Sequence, residues 1–152
     1  MMTTEHNAHL IANFILYDAE RKLTPLQLNK LIYFSHGWML GLYDKPLITE
    51  QVEAWKYGPV IPSIYYLFKN NGREPINFIE YFDYPYANLN AQEIDIIRQV
   101  IDAYGDLSGE KLIELTHEKG TPWSKYYNGS NENVIIPNKA IKKYFKSLSD
   151  NG

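Results

Sequence analysis

The chain has 152 residues, with 15 basic against 18 acidic side chains for a formal charge of -3, and 14% of its residues are aromatic, 13 of them tyrosine. A chain of this length buries about two thirds of its unfolded surface and needs neither disulfide nor metal to fold. It contains no cysteine, which excludes thiolate nucleophiles, disulfides and Cys-based zinc sites, and its acidic balance excludes a global electrostatic trap for phosphate backbones.

Residues 7–20 predict a first helix, capped by Thr3 or Thr4, with Leu10, Ile11, Phe14, Ile15 and Tyr17 forming a wide apolar stripe. His9 and Asn13 interrupt the apolar run 8–17, which lacks a basic flank, so neither a signal peptide nor a membrane span is expected there. The second helix carries the clearest signals: Thr24 caps it, Pro25 suits its first position and Gln27 completes a capping box. Leu28, Leu31, Ile32, Ser35, Trp38, Met39 and Leu42 then keep helical spacing and mark it as central. A turn over 43–46 leads to two extended segments, 47–48 and 52–57, that read as a small hairpin, with Val52, Ala54 and Lys56 alternating against Glu53, Trp55 and Tyr57.

Gly58 and Pro59 break the chain, and residues 62–69 form a short helix ended by Asn70, Asn71 and Gly72. No helical period survives over 73–89, where Phe78, Tyr81, Phe82, Tyr84 and Tyr86 crowd a stretch containing Pro75 and Pro85; irregular segments of that length are commonly functional. Asn90 and Glu93 form a second capping box before Ile94, Ile97, Ile101 and Tyr104, a helix ending at Gly105. Ser108 caps a fifth helix with Leu112 and Leu115 inward and Gly120 as its stop. A second aromatic loop, 121–133, carries Trp123, Tyr126 and Tyr127, and 134–136 is extended. Pro137 opens a last helix with Ile141, Tyr144, Phe145 and Leu148 on one side and Lys139, Lys142, Lys143 and Lys146 on the other. The expected fold is mainly α (α+β): one domain over residues 1–152, ordered over about 5–148, built as a compact bundle of about six helices with a small β-hairpin or short strands.

Little in the chain carries catalytic chemistry. It has no glycine-rich phosphate cradle, no nucleophile elbow and no His-Glu-x-x-His pair. His6 and His9 could share a helix face but lack a third ligand, so no metal is expected, and no cofactor either. His36 and His117 could each act as a base, yet structural hydrogen bonding is the commoner fate of such histidines, and no enzyme is expected. The lysines of the last helix could touch phosphates, but a solvated face opposite an apolar stripe explains them as well, so nucleic acid is not the expected partner. Asn128, Gly129 and Ser130 match a glycosylation sequon and read as a turn.

The distinctive block is EAWKYGPV, residues 53–60. Gly58 can adopt angles closed to other residues and Pro59 fixes the exit, so the side chains before them are held in one orientation. Trp55 and Tyr57 either anchor this strand on the core or face outward; tyrosine suits both places.

This block lies in register with an upstream KLIYFSHGW run, and residues 26–72 as a whole resemble the Panacea domain, known from phage-associated GepA-like and SocA-like proteins. ELTHEKGTPW at 114–123 and IPNKAIKKYF at 136–145 follow the same pattern in the same order. The resemblance implies an antitoxin of a toxin–antitoxin module that neutralises a cognate protein toxin by direct contact, without catalytic residues, in the cytoplasm and away from membranes. It also admits an adaptor that delivers a toxin to a protease, and a phage-associated or nucleic-acid-binding regulator using the basic last helix stays as an alternative. On this reading Trp55, Lys56, Tyr57, Gly58, Pro59 and Tyr65 are candidate partner contacts, with Tyr81, Tyr84, Tyr86 and Trp123 as candidates for specificity. Asn29 stands where relatives often carry glutamine, and the oligomeric state is left open.

Overall fold

The computed structural model describes residues 6–77, 88–129 and 134–151. Among these, seven α-helices and three strands follow one another as α1 (Ala8–Asp18), α2 (Pro25–Tyr43), β1 (Val52–Trp55), β2 (Gly58–Val60), α3 (Pro62–Leu67), α4 (Ala91–Tyr104), α5 (Gly109–His117), α6 (Pro122–Tyr126), β3 (Ile135–Ile136) and α7 (Asn138–Asn151). A single 3-10 turn over Lys69–Asn71 follows α3. The mainly helical fold with a small sheet agrees with the expectation; α6 is the helix that the sequence reading passed over.

Local chemistry fixes most helix starts. Thr24 accepts a hydrogen bond from the Gln27 amide at 3.2 Å while the Gln27 carboxamide oxygen accepts from the Thr24 amide at 2.9 Å, a cap of the kind that stabilises a helix by about 1 kcal/mol. Asn90 and Glu93 repeat the arrangement on α4, and Ser108 caps α5. The cap of α1 is Asn7, whose side chain accepts from the Leu10 amide at 3.0 Å, rather than Thr3 or Thr4, which lie outside the described residues. Thr121 caps α6 by accepting from the Ser124 amide, with Pro122 at the first helical position. α5 ends at His117, short of Gly120, whose φ of 90° belongs to the following turn.

α2 is the centre of the molecule, but not through one apolar side. Residues 28–37 are buried without a break, so Asn29, Lys30, Ser35 and His36 are enclosed along with the aliphatic residues. α1, α4 and α7 pack around it. Three residues expected on inner faces, Tyr17, Leu42 and Leu148, are instead exposed. α7 comes closest, because Gly37 and Gly41 leave a trough on α2 that the Phe145 ring fills. Phe145 meets Tyr33, Phe34 and Trp38 edge to face, with ring centroids 5.8, 6.2 and 5.1 Å away. Phe34 in turn stacks on Tyr104 of α4 at 4.2 Å. An ion pair between Lys142 and Asp44 at 2.7 Å closes the outer end of this contact.

The sheet has the order β2-β1-β3 and is antiparallel throughout. The hairpin differs from the expected one. Its strands are β1 and β2, with Ala54 opposite Pro59 and Trp55 opposite Gly58, and its turn is Lys56 and Tyr57. Segment 47–48 pairs elsewhere: the His6 amide donates to the Leu47 carbonyl and the Thr49 amide to the His6 carbonyl, a parallel bridge formed by the start of the chain. Beside it the His6 ring bonds the buried Glu93 carboxylate at 2.9 Å, and Glu50 accepts from the Ala8 amide at 2.9 Å. The amino-terminal segment is thereby tied to α4 and to the loop after α2.

The trough on α2 makes a direct prediction. A Cβ at Gly41 would lie 2.7 Å from the Phe145 Cβ and 2.9 Å from the Lys146 backbone nitrogen, which cannot swing aside. Gly41→Ala gains about 1 kcal/mol of helix propensity and loses roughly 1–3 kcal/mol to overpacking. The expected net result is a lower urea midpoint and melting temperature; a variant more stable than the parent would contradict the close approach of α7.

Candidate functional site

The EAWKYGPV block is held from beneath by α2. Gly58 has a φ of 117°, and a Cβ there would meet the Thr116 hydroxyl at 2.8 Å and Lys30 Cε at 2.9 Å, so only glycine fits. Lys30 Nζ donates to the Pro59 carbonyl at 3.0 Å. Its neighbour Asn29 binds both polar groups of Ile61, donating to the carbonyl at 3.2 Å and accepting from the amide at 2.9 Å. All four residues, Asn29, Lys30, Pro59 and Ile61, are buried, so these bonds form without competition from water.

The block is braced from behind by α5 and α6. Trp123 donates its indole N–H to the Trp55 carbonyl at 2.6 Å, and its ring stacks on His117 at 3.6 Å and on Tyr127 at 4.7 Å. His117 Nε2 is buried and meets no hydrogen-bond partner among the described residues. Burial, and secondarily the Lys30 charge, lower its affinity for a proton.

What this scaffold presents outward is aromatic. Trp55 anchors its N–H on Glu53 at 2.9 Å and meets the rings of Tyr65 and Tyr66 edge to face at 5.0 and 6.2 Å. Tyr57 is 57% exposed, Tyr65 40% and Tyr66 62%, where tyrosines in a core margin would be covered. Lys56 places its ammonium 5.5 Å from the centre of the Tyr57 ring. Between these side chains runs an open groove of about 440 Å³, with Lys30 at its floor and Lys69 on its border.

The structure therefore brings Trp55, Lys56, Tyr57 and Tyr65 together around one groove. Gly58 and Pro59 lie buried below it and shape it without facing a partner. Trp123 stands behind β1 as a brace. Tyr81, Tyr84 and Tyr86 lie outside the described residues. Five lining residues escaped the sequence reading, Leu26, Lys30, Val60, Tyr66 and Lys69; the signal of Tyr66 was its place beside Tyr65 on a helix too short to have an inner face for both, and that of Lys30 was a charge inside an apolar helix.

The other candidates have structural partners. His36 is fully buried; its Nδ1 accepts from the Leu47 amide at 3.1 Å and its Nε2–H donates to Asn138 at 2.9 Å, joining α2, the loop after it and α7. Of the α7 lysines, Lys142 is paired with Asp44, while Lys139, Lys143 and Lys146 are exposed. Among the described residues no helix is long and apolar enough to cross a membrane.

Residues 28–124 match the family described as antitoxin SocA-like, Panacea domain. The chain is also 31% identical over 155 aligned residues to Antitoxin SocA of Caulobacter vibrioides (strain NA1000 / CB15N), an alignment that covers 92% of this chain and 82% of that relative. No solved structure matches it. The chain belongs to the SocA-like Panacea family, and that membership supports an antitoxin role in a toxin–antitoxin system. Lys30, Trp55, Lys56, Tyr57, Tyr65, Tyr66 and Lys69 around the groove lie inside the matched stretch.

His36 makes the fold acid-sensitive in a defined window. Burial lowers its pKa from 6.5 to about 4. Between those values the unfolded chain binds the extra proton, so stability is greatest above pH 6.5 and falls as the pH drops toward 4, by at most about 1.4 kcal/mol per pH unit. Urea titrations across that range should show His36→Gln less stable at pH 7 and the gap to the parent narrowing on acidification. A gap that stays constant would remove His36 as the cause.

Proposed function

We propose that this chain neutralises a cognate protein toxin by direct contact through the groove around Trp55, Tyr57, Tyr65 and Tyr66, acting by binding rather than by catalysis, in the cytoplasm. The observation that carries this reading is the exposure of three tyrosines, one on the hairpin turn and two on α3, around a half-buried tryptophan, beside a hairpin whose underside is locked by buried hydrogen bonds. Large apolar rings left open on a rigid support are what a protein interface uses as anchors, since they bury much area and lose little side-chain entropy on binding. Membership of an antitoxin family gives the partner its class. The buried positions of His36 and the stacked His117 favour structural roles for both over a role as base.

The test is co-expression and purification with the product of the neighbouring gene. Tyr57→Ala should weaken binding by more than tenfold, a loss of about 1.4 kcal/mol or more, and should leave the melting temperature essentially unchanged because the ring is mostly in solvent. Equal losses of affinity and stability would return Tyr57 to a structural role. Absence of any complex with a neighbour that is toxic alone would overturn the reading.

A further inference from the structure

We infer that the groove is a receptor for an acidic side chain of the protein partner, with Lys30 at its floor taking the carboxylate and the surrounding rings packing on the residues that flank it. This rests on the reading of the groove as the partner-binding surface and goes beyond it by naming what enters.

The argument starts from a mismatch. Lys30 is 0% exposed and its ammonium has one bond, to the Pro59 carbonyl, so two of its three N–H donors have no acceptor among the described residues. A charge enclosed without a counterion works against folding, and one backbone carbonyl meets only part of its demand. The groove nevertheless opens onto this lysine, and Lys56 and Lys69 stand at its border. Among the described residues that line it none is acidic. Trp55, Tyr65 and Tyr66 form apolar walls, which lower the local dielectric and strengthen any ion pair made inside. Three cations set among rings, none in an ion pair among the described residues and the neighbouring Glu53 carboxylate engaged by the Trp55 indole, complement a carboxylate carried on a partly apolar peptide segment. A lone ammonium, unlike a guanidinium fork, suits one carboxylate oxygen as a point charge.

The protonation of Lys30 follows the same logic. Burial lowers its pKa from 10.5 to about 7, so near neutrality the free protein holds it partly neutral. A carboxylate seated beside it favours the charged form and raises that value in the complex. Binding is then at full strength below pH 7 and weakens as the pH rises through the value of the complex. The other titratable or charged groups facing the site or bonded to its walls are Glu53 from β1, whose carboxylate holds the Trp55 indole, His117 from α5, Lys56 and Tyr57 from the hairpin turn, and Tyr65, Tyr66 and Lys69 from α3 and the turn after it. His117, already lowered by burial, changes charge below the window in which Lys30 does.

The experiment is calorimetric binding of the neighbouring gene's product at pH 6 to 8.5, in buffers of differing ionisation enthalpy. The expected result is affinity falling at least tenfold across that range, with uptake of close to one proton per complex at pH 8. Lys30→Met leaves the Pro59 carbonyl without its donor but keeps the two Asn29 bonds to Ile61, so it should still fold, with a somewhat lower melting temperature, bind at least tenfold more weakly at pH 6 and show no proton uptake. Replacing Lys56 and Lys69 by alanine together should weaken binding and its salt dependence while keeping the uptake. If Lys30→Met binds like the parent while Tyr57→Ala still binds weakly, the carboxylate receptor is refuted and the toxin-binding surface stands; if neither substitution matters, both fall. Should Lys30→Met not fold, the parent alone decides, since no proton uptake at pH 8 refutes the inference. Displacement of the partner by millimolar inorganic phosphate would also refute it, because the groove would then serve a free oxyanion.

Discussion

Two neighbouring polar side chains on an otherwise enclosed helix, Asn29 and Lys30, grip the backbone of residues 59 and 61, and the outward face of the hairpin exists because of that grip. Leaving a buried polar group unpaired costs about 1–3 kcal/mol, so the β2 backbone and the α2 side chains each require the other. The glycine at position 58 follows from the same contact, since it brings the chain so near Lys30 and Thr116 that no side chain can be accommodated. Trp123 adds a second fixed point from the opposite direction by bonding the Trp55 carbonyl. A turn pinned on both sides can carry exposed rings without their collapsing onto the core. That separates the rigid part of the candidate site from the part left open to solvent.

The elements legible in the sequence were those whose chemistry is local. Thr24 with Gln27, Asn90 with Glu93 and Ser108 cap their helices through bonds spanning three residues, so the pattern and the bond coincide. The hairpin was displaced because segment 47–48 takes its partner from His6, a pairing across the fold that no short window contains. α6 was hidden differently: Thr121 and Pro122 are a sound start signal, but the helix is one turn long and its aromatic residues outweigh any period.

At the candidate site, the EAWKYGPV block stands out in the sequence, but which of its side chains face outward does not. Trp55 and Tyr57 share a strand parity, and only the turn at Lys56 and Tyr57 turns one ring half inward and the other into solvent. Lys30 was missed because a charge in an apolar helix is read as a surface position when one stripe is assumed. α2 has no such stripe over residues 28–37, and burial on every side depends on neighbours from both ends of the chain.

The helix that completes this enclosure follows every groove element in the chain. α7 lies beyond the family-matched stretch, yet its Phe145 occupies the trough on α2 and its Asn138 holds His36, on the same helix that supports the hairpin. A polypeptide that stops short of residue 138 therefore leaves α2 uncovered along that trough and His36 without its Asn138 bond. The support beneath the groove is completed from a part of the chain that carries none of the groove's lining, so truncation there undermines it even when every lining residue is present.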